Sequence, residues 1–234
     1  HYGVRPDQIR FEHGEAIIAE QRMTFAELVQ AAYLNRISLS ATGYYRTPKI
    51  AYDMQTGKGR PFFYFAYGAA VSEVAVDLLT GESRIERVDI LHDVGDSLNP
   101  AIDRGQIEGG FVQGAGWLTC EELVFGSDGT LETHAPSTYK IPTCGDRPRK
   151  FNIELLADSP NRERTVFRSK AVGEPPLMLA ISVFRAIADA VASVGGEHAD
   201  PHLDSPATPE RVLAAVERVR AGVEGEEPKR VAGG

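Results

Sequence analysis

A chain of 234 residues suffices for one large domain or two small ones with a sizeable core. Its hydrophobic fraction of 42%, charged fraction of 25% and net charge of -8 describe an ordinary water-soluble fold and argue against nucleic acid, whose binders carry a basic patch. Two cysteines, Cys120 and Cys144, are too few for a disulfide framework, and the apolar stretches meet Arg, Asp or Glu well before about 18 residues, so no membrane span is expected.

The chain opens on His1 rather than Met, and Tyr2-Gly3-Val4-Arg5-Pro6 reads as mid-protein sequence, so a piece of a longer polypeptide is expected. Residues 9–19 read as a hairpin with Gly14 in its turn. Thr24 is an N-cap with Glu27 completing a capping box, opening a helix to about Leu34 with Phe25, Leu28, Val29 and Ala32 on one face. Residues 36–61 are loop-like, with Gly43 to Pro48 and Gly57 to Pro61 as the clearest breaks. The aromatic and β-branched run from Phe62 to Asp77 predicts a long strand. It turns at Thr80-Gly81-Glu82 and returns from Ser83 to Val94.

Asp103 to Glu122 reads as a helix that carries Gly105, Gly109, Gly110, Gly114 and Gly116. Each helical glycine costs about 1 kcal/mol against alanine, so close approach of a backbone or of a ligand is expected. Beyond a turn at Gly126 to Gly129, Thr130 to Thr133 and Phe151 to Leu156 read as short strands. Pro175 opens a helix to about Val194, apolar on most faces and therefore deep in a core, with Ser182, Arg185, Asp189 and Ser193 as a polar stripe. Gly195-Gly196 stops it. A polar connection over 197–207 follows. Thr208-Pro209 caps a last helix to about Arg220. Residues 1–221 are expected to form one region, with 222–234 a disordered tail. The mixture of a long antiparallel hairpin and several helices, two of them buried or glycine-rich, predicts an α+β fold.

Glu174 is the sharpest candidate for chemistry. It follows Gly173 and precedes Pro175-Pro176. At a helix start the dipole favours its ionised form, and an apolar site raises its pKa; a carboxylate poised between the two suits a general base. The alternative is a simple helix cap. Gln106 and Gln113 lie seven residues apart on one helix face, and a primary amide both donates and accepts, which suits an oxo group, a phosphate or a pterin edge. Ordinary surface glutamines are the alternative. His198 and His202 bracket Asp200, His92-Asp93 reads as a structural hydrogen-bonded pair, and His134 sits in a loop. Two basic clusters, Arg147, Arg149 and Lys150, and Arg162, Arg164, Arg168 and Lys170, read as solvated loop charge. The cysteines read as free thiols of a reducing cytosol, and no spacing points to a zinc or iron-sulfur site.

Five segments in order resemble the xanthine dehydrogenases. Ser169-Lys170-Ala171-Val172-Gly173-Glu174-Pro175-Pro176-Leu177 looks like their glutamate motif. Residues 105–116, from Gly105-Gln106 to Gly116, are similar to their second cofactor-contacting helix. Gly43 to Ile50, His92 to Gly95 with Leu98-Asn99-Pro100, and Pro136 to Pro142 complete the set. The resemblance is to the C-terminal part of a molybdopterin-binding large subunit.

That resemblance implies hydroxylation of xanthine or hypoxanthine at a molybdopterin centre, with water as the oxygen source. Glu174 would take a proton from a Mo-OH group, Gln106 would contact the cofactor, and Gly173 would be the backbone neighbour at the metal. No protein ligand to the metal is implied. FAD and 2Fe-2S clusters would lie in partner domains or chains and pass electrons to NAD. The remainder of the molybdenum subunit and an iron-sulfur/FAD subunit are the implied partners, the purine the substrate, and the cytoplasm the expected location. Another molybdenum hydroxylase, acting on an aldehyde or a different N-heterocycle, and a non-catalytic scaffold of the same fold are the alternatives.

Overall fold

Residues 1–196 and 199–225 are described by a computed structural model of the chain, in which His1–Ile50 and the residues from Ala51 onward form two separate units. In the first unit, strands β1 (Ile9–Glu12) and β2 (Glu15–Ile18) form the expected hairpin. His13 and Gly14 both take positive φ, 51° and 78°, as a two-residue turn matched to the strand twist requires. A third strand, β3 (Gln21–Thr24), pairs antiparallel with β2. Its Gln21-Arg22 start carries no apolar alternation, so the sequence does not announce it.

Ala16, Ile17 and Ile18 are buried. Thr24 caps α1 (Phe25–Leu34): its hydroxyl accepts from the Glu27 N–H at 3.2 Å, and the Glu27 carboxylate accepts from the Thr24 N–H at 2.8 Å. Leu28, Val29 and Ala32 are half-buried. Phe25 is not part of that packed face and instead lies edge-on to Phe11, with ring centroids 6.1 Å apart.

The second unit opens with a small exposed hairpin, β4 (Ala51–Asp53) and β5 (Lys58–Arg60), where only loop was expected. The long strand is also shorter than its composition predicts. β6 runs only from Gly68 to Val76, because its partner β7 (Ser83–His92) reaches its last residue opposite Gly68. Phe62 to Tyr67 therefore have strand propensity but no neighbour in the ladder. Along β6, Ala70, Ser72, Val74 and Val76 turn inward and Val71 faces out.

α2 (Pro100–Thr119) crosses from β7 to β8 (Lys150–Leu155), which lies parallel to β7 and completes the order β6-β7-β8. The helix starts three residues before the expected Asp103. Asn99 caps it by accepting from the N–H groups of Ala101 and Ile102 at 3.2 and 3.3 Å, and Pro100 fills its first position. The strand expected at Thr130 to Thr133 is reduced to one bridge between Phe125 and Leu131.

The helix expected from Pro175 is two pieces. Pro175–Ala180 is a 3-10 helix, and α3 is Ile181–Ala192. Neither proline has an N–H, so the first bond runs from the Leu177 N–H to the Glu174 carbonyl at 3.1 Å, one residue tighter than an α turn.

By length and composition alone Pro175–Ala192, with mean hydropathy 1.5, is apolar enough to cross a membrane. Its Ala180, Val183, Ile187 and Val191 instead fill a core with Val88, Ile90, Ile107, Phe111 and, from α4 (Pro209–Gly225), Val212 and Val216. Ser182 leaves the expected polar stripe and meets the Ser72 hydroxyl at 2.7 Å. α4 continues past the expected end at Arg220, and residues 226–234 of the expected tail lie outside the described residues.

Candidate functional site

The glycines of α2 fall into two sets. A Cβ on Gly114 would lie 2.3 Å from the Leu177 carbonyl oxygen and 2.9 Å from the Ala180 Cβ. One on Gly110 would lie 3.2 Å from the Pro176 Cβ and 3.5 Å from the Gly173 carbonyl oxygen. Close packing of residues 173–180 on α2 sets these two, and a Cβ on Gly116 would meet the Pro142 ring Cγ at 2.2 Å. Gly105 and Gly109 differ, because a Cβ on either would meet nothing within 4 Å. They share an exposed helix face with Ile102, Gln106, Gln113 and Trp117.

The close approach at Gly110 and Gly114 delivers Gly173 to Gln106. A Cβ on Gly173 would sit 3.6 Å from the Gln106 Oε1. Glu174 is the next residue and is exposed. Gln106 and Gly173 are thus adjacent, and Glu174 follows them in the chain. Glu174 precedes a 3-10 turn rather than the expected α-helix, and it is exposed rather than set in an apolar site. Its side chain makes no capping hydrogen bond, so the alternative of a simple helix cap has no such bond behind it. A cleft of about 940 Å³, lined by Arg84, Thr119, Cys120, Tyr139, Pro142 and Asp146 among others, contains none of the three residues.

Behind Glu174 lies a feature that sequence reasoning missed. Lys170, read as solvated charge, is buried: its side chain is 8% exposed and pairs with that of Asp93, 4% exposed. The other Asp93 oxygen accepts from the Gly95 N–H at 2.9 Å. The Lys170 ammonium also lies 5.2 Å from the centre of the Tyr67 ring. Two backbone bonds flank the pair, Lys170 N–H to Val94 carbonyl at 2.8 Å and Asp96 N–H to Arg168 carbonyl at 3.1 Å. The Tyr64 hydroxyl accepts from the Ala171 N–H at 2.8 Å. Gly95 takes φ 64°, and a Cβ there would be 2.4 Å from the Arg168 carbonyl oxygen, so the turn is closed by the absence of a side chain. The ion-paired residues are 77 positions apart, beyond any local spacing signal.

His92 and Asp93 are therefore not the side-chain pair expected. His92 is 1% exposed and its Nδ1 has no hydrogen-bond partner among the described residues. Burial pushes its pKa below the ordinary 6.5, and the nearby Lys170 charge adds to the effect. The unfolded chain then binds a proton that the folded chain refuses, so stability is complete above the ordinary value and is lost as pH falls below it. The thermal unfolding midpoint is expected to decline as pH falls below about 6.5, the ordinary histidine value. A His92→Leu variant should flatten that decline, and equal slopes in both proteins would show that another group carries it.

Elsewhere, the exposed His202 Nδ1 lies 3.5 Å from Asp200, and His198 is outside the described residues. His134 Nδ1 is 2.9 Å from the Leu131 carbonyl oxygen. Cys120 and Cys144 are both free. Among the described residues no three His, Cys, Asp or Glu side chains form a group able to hold a metal ion, so this chain's candidates are amide, backbone and one carboxylate.

The fold recurs in solved oxidoreductases. Quinoline 2-oxidoreductase from Pseudomonas putida 86 superposes with a TM-score of 0.58 at 27% identity, covering 92% of this chain and 26% of that one. Aldehyde oxidoreductase from Desulfovibrio gigas gives a TM-score of 0.61 at 27% identity, covering 80% and 20%. Residues 1–148 match the molybdopterin cofactor-binding domain, and the chain belongs to that family. The match contains Gln106 and ends before Gly173 and Glu174. Xanthine dehydrogenase/oxidase from Mus musculus is 53% identical over 193 residues, 80% of this chain and 14% of that protein's length. The chain thus spans a small part of the relative it matches.

Proposed function

We propose that this chain is part of an enzyme that hydroxylates xanthine or hypoxanthine at a molybdopterin centre, with water as the oxygen source and Glu174 as the base. The observation that carries the reading is local. The Gly173 backbone lies against the Gln106 amide on the bare face of α2, and the exposed carboxylate follows one residue later.

The residues fit the cofactor. Gly105 and Gly109 each cost about 1 kcal/mol in a helix, and nothing among the described residues requires them. A flat group lying against helix backbone does. Gln106 can donate and accept at a pterin edge, and Gly173 leaves its backbone accessible to the metal side. When bound, the molybdopterin supplies the oxidising centre and the oxygen. The Glu174 carboxylate accepts a proton on an Oε atom as the substrate is oxidised, and its exposure in this chain leaves it free to face a substrate. Ile102 and Trp117, 59% and 51% exposed on the same face, are apolar surface of the kind a neighbouring segment covers. The remainder of the molybdenum subunit would provide that cover, and an iron-sulfur/FAD subunit would carry electrons to NAD, in the cytoplasm.

A second reading keeps the chemistry and changes the substrate. The likeness to the quinoline and aldehyde enzymes favours it, since both share the fold at 27% identity. The test is the full-length parent, purified and assayed for molybdenum, iron and flavin, then for oxidation of xanthine, a quinoline and an aldehyde. Bound molybdenum with xanthine as the fastest substrate is expected. A faster aldehyde or quinoline would establish the second reading, and a metal-free protein that oxidises none of them would sink both and leave a scaffold.

A further inference from the structure

We propose that Asp93 and Lys170 are positioning residues for Glu174, acting together as a buried pin that fixes the register of the segment carrying the carboxylate. The inference rests on the reading of Glu174 as the base. It starts from an oddity of energetics. Burying two opposite charges costs about as much desolvation as their attraction returns, so an ion pair that is 8% and 4% exposed is a poor stabilising device. What such a pair does supply is uniqueness of placement.

The geometry here has that character. Ser169 is extended directly after the 3-10 turn Val166–Arg168, and it lies against residues 94–96, bridged to Gly95, with two backbone hydrogen bonds, one on either side of the bridge. Backbone bonds of that kind are indifferent to a one-residue slip. The side chains are not, because a slip turns each to the opposite face. It would offer Asp93 the hydroxyl of Ser169 or the methyl of Ala171 in place of the Lys170 ammonium. It would also remove the Ala171 N–H from the Tyr64 hydroxyl.

Asp93 is itself fixed, since its second oxygen accepts from the Gly95 N–H inside the turn that the segment lies against. The pin therefore joins the segment to the end of β7. From Lys170 to Glu174 is four residues. On the far side Gly110 and Gly114 grip residues 173–180. The side chain of Glu174 makes no capping bond of its own; its backbone is held from one side by the pin, the Ala171–Tyr64 bond and the bonds that Asn161 and Thr165 donate to the Ser169 carbonyl, and from the other by the grip of α2. A slip of one residue moves an extended chain by about 3.3 Å, and a displacement of about 1 Å at a reacting group is enough for a roughly 100-fold loss of rate.

The experiment uses the full-length parent enzyme with Lys170→Met, Asp93→Asn and the double variant. Lys170→Met alone strands a buried carboxylate and can fail to fold; the double variant removes both charges and keeps the question open to measurement. The double variant is expected to retain molybdenum and a near-normal unfolding midpoint. Its kcat per molybdenum should fall roughly 100-fold with little change in KM. Hydrogen exchange at the amides of Lys170 and Ala171, measured with and without cofactor, should become faster. Wild-type kcat per molybdenum in a folded, loaded double variant overturns the proposal, whatever the exchange shows. Glu174→Gln run alongside separates the two ideas. Normal turnover there removes the base reading itself, whereas a dead Glu174→Gln beside a fully active double variant removes only the pin.

Discussion

Glu174→Gln in the full-length parent is expected to lower kcat per molybdenum by about 10²–10⁴-fold while the molybdenum content stays at the wild-type level. The amide has nearly the same size and shape as the carboxylate and cannot accept the proton. Glu174 is exposed, and its side chain makes no capping bond at the 3-10 turn, so the substitution removes no capping interaction. Its effect on unfolding should stay within about 0.5 kcal/mol, as for a surface change that breaks nothing. Activity and stability thus separate cleanly at this position. Near-normal rates in a loaded Glu174→Gln enzyme would mean that the base lies elsewhere.

Gly114→Val should produce the largest loss of stability. Its Cβ would fall 2.3 Å from the Leu177 carbonyl oxygen and 2.9 Å from the Ala180 Cβ, and both obstacles belong to the turn whose Pro176 and Ala180 are buried. Overpacking of this kind costs about 1–3 kcal/mol, and a backbone atom as the obstacle puts the expected value at or above the upper end. The shift would also carry Gly173 away from Gln106. Gly109→Ala is the natural comparison. Nothing lies near its Cβ, so it should raise stability by about 0.5–1 kcal/mol in the chain without cofactor, while lowering the molybdenum content of the loaded enzyme. Urea unfolding of both variants checks the pair, and a Gly114→Val variant as stable as Gly109→Ala would refute the packing argument.

The elements with strong periodicity were legible in the sequence: the first hairpin, the β6-β7 alternation, the glycine-rich helix and the apolar helix behind it. So was the identity of the candidate residues, through the motifs that surround them. Where the reading departed from the structure, a pairing partner or a backbone constraint that hydrophobic patterning does not register decided. Phe62 to Tyr67 have strand composition, but a strand needs a neighbour, and β7 ends opposite Gly68. β4 and β5 exist only as each other's partners and bury nothing. Two prolines in sequence reshaped the first turn after Glu174 by removing N–H groups, which a hydrophobic period does not register. The same limit applies to the glycines of α2. Spacing gives five costly residues and two explanations; only the position of residues 173–180 assigns packing to Gly110 and Gly114 and leaves Gly105 and Gly109 over. Lys170 sat among arginines and read as solvated, because its partner lies 77 residues away, just past the end of β7.

The long reach of that partner has a consequence for how the protein is made. Asp93 and Lys170 are separated by 77 residues, and Tyr64 and Ala171 by 107. The β6-β7 hairpin and α2 close on local contacts and can form early, whereas closing loops of this length is entropically costly and slow. At about 5–20 residues per second, Asp93 leaves the ribosome's active centre roughly 4–15 seconds before Lys170 is added. Throughout that interval the end of β7 carries a carboxylate and the unpartnered His92 with no cation to meet them. The segment bearing Glu174 is consequently among the last parts of the chain to settle, and any cofactor that leans on it has to arrive later still.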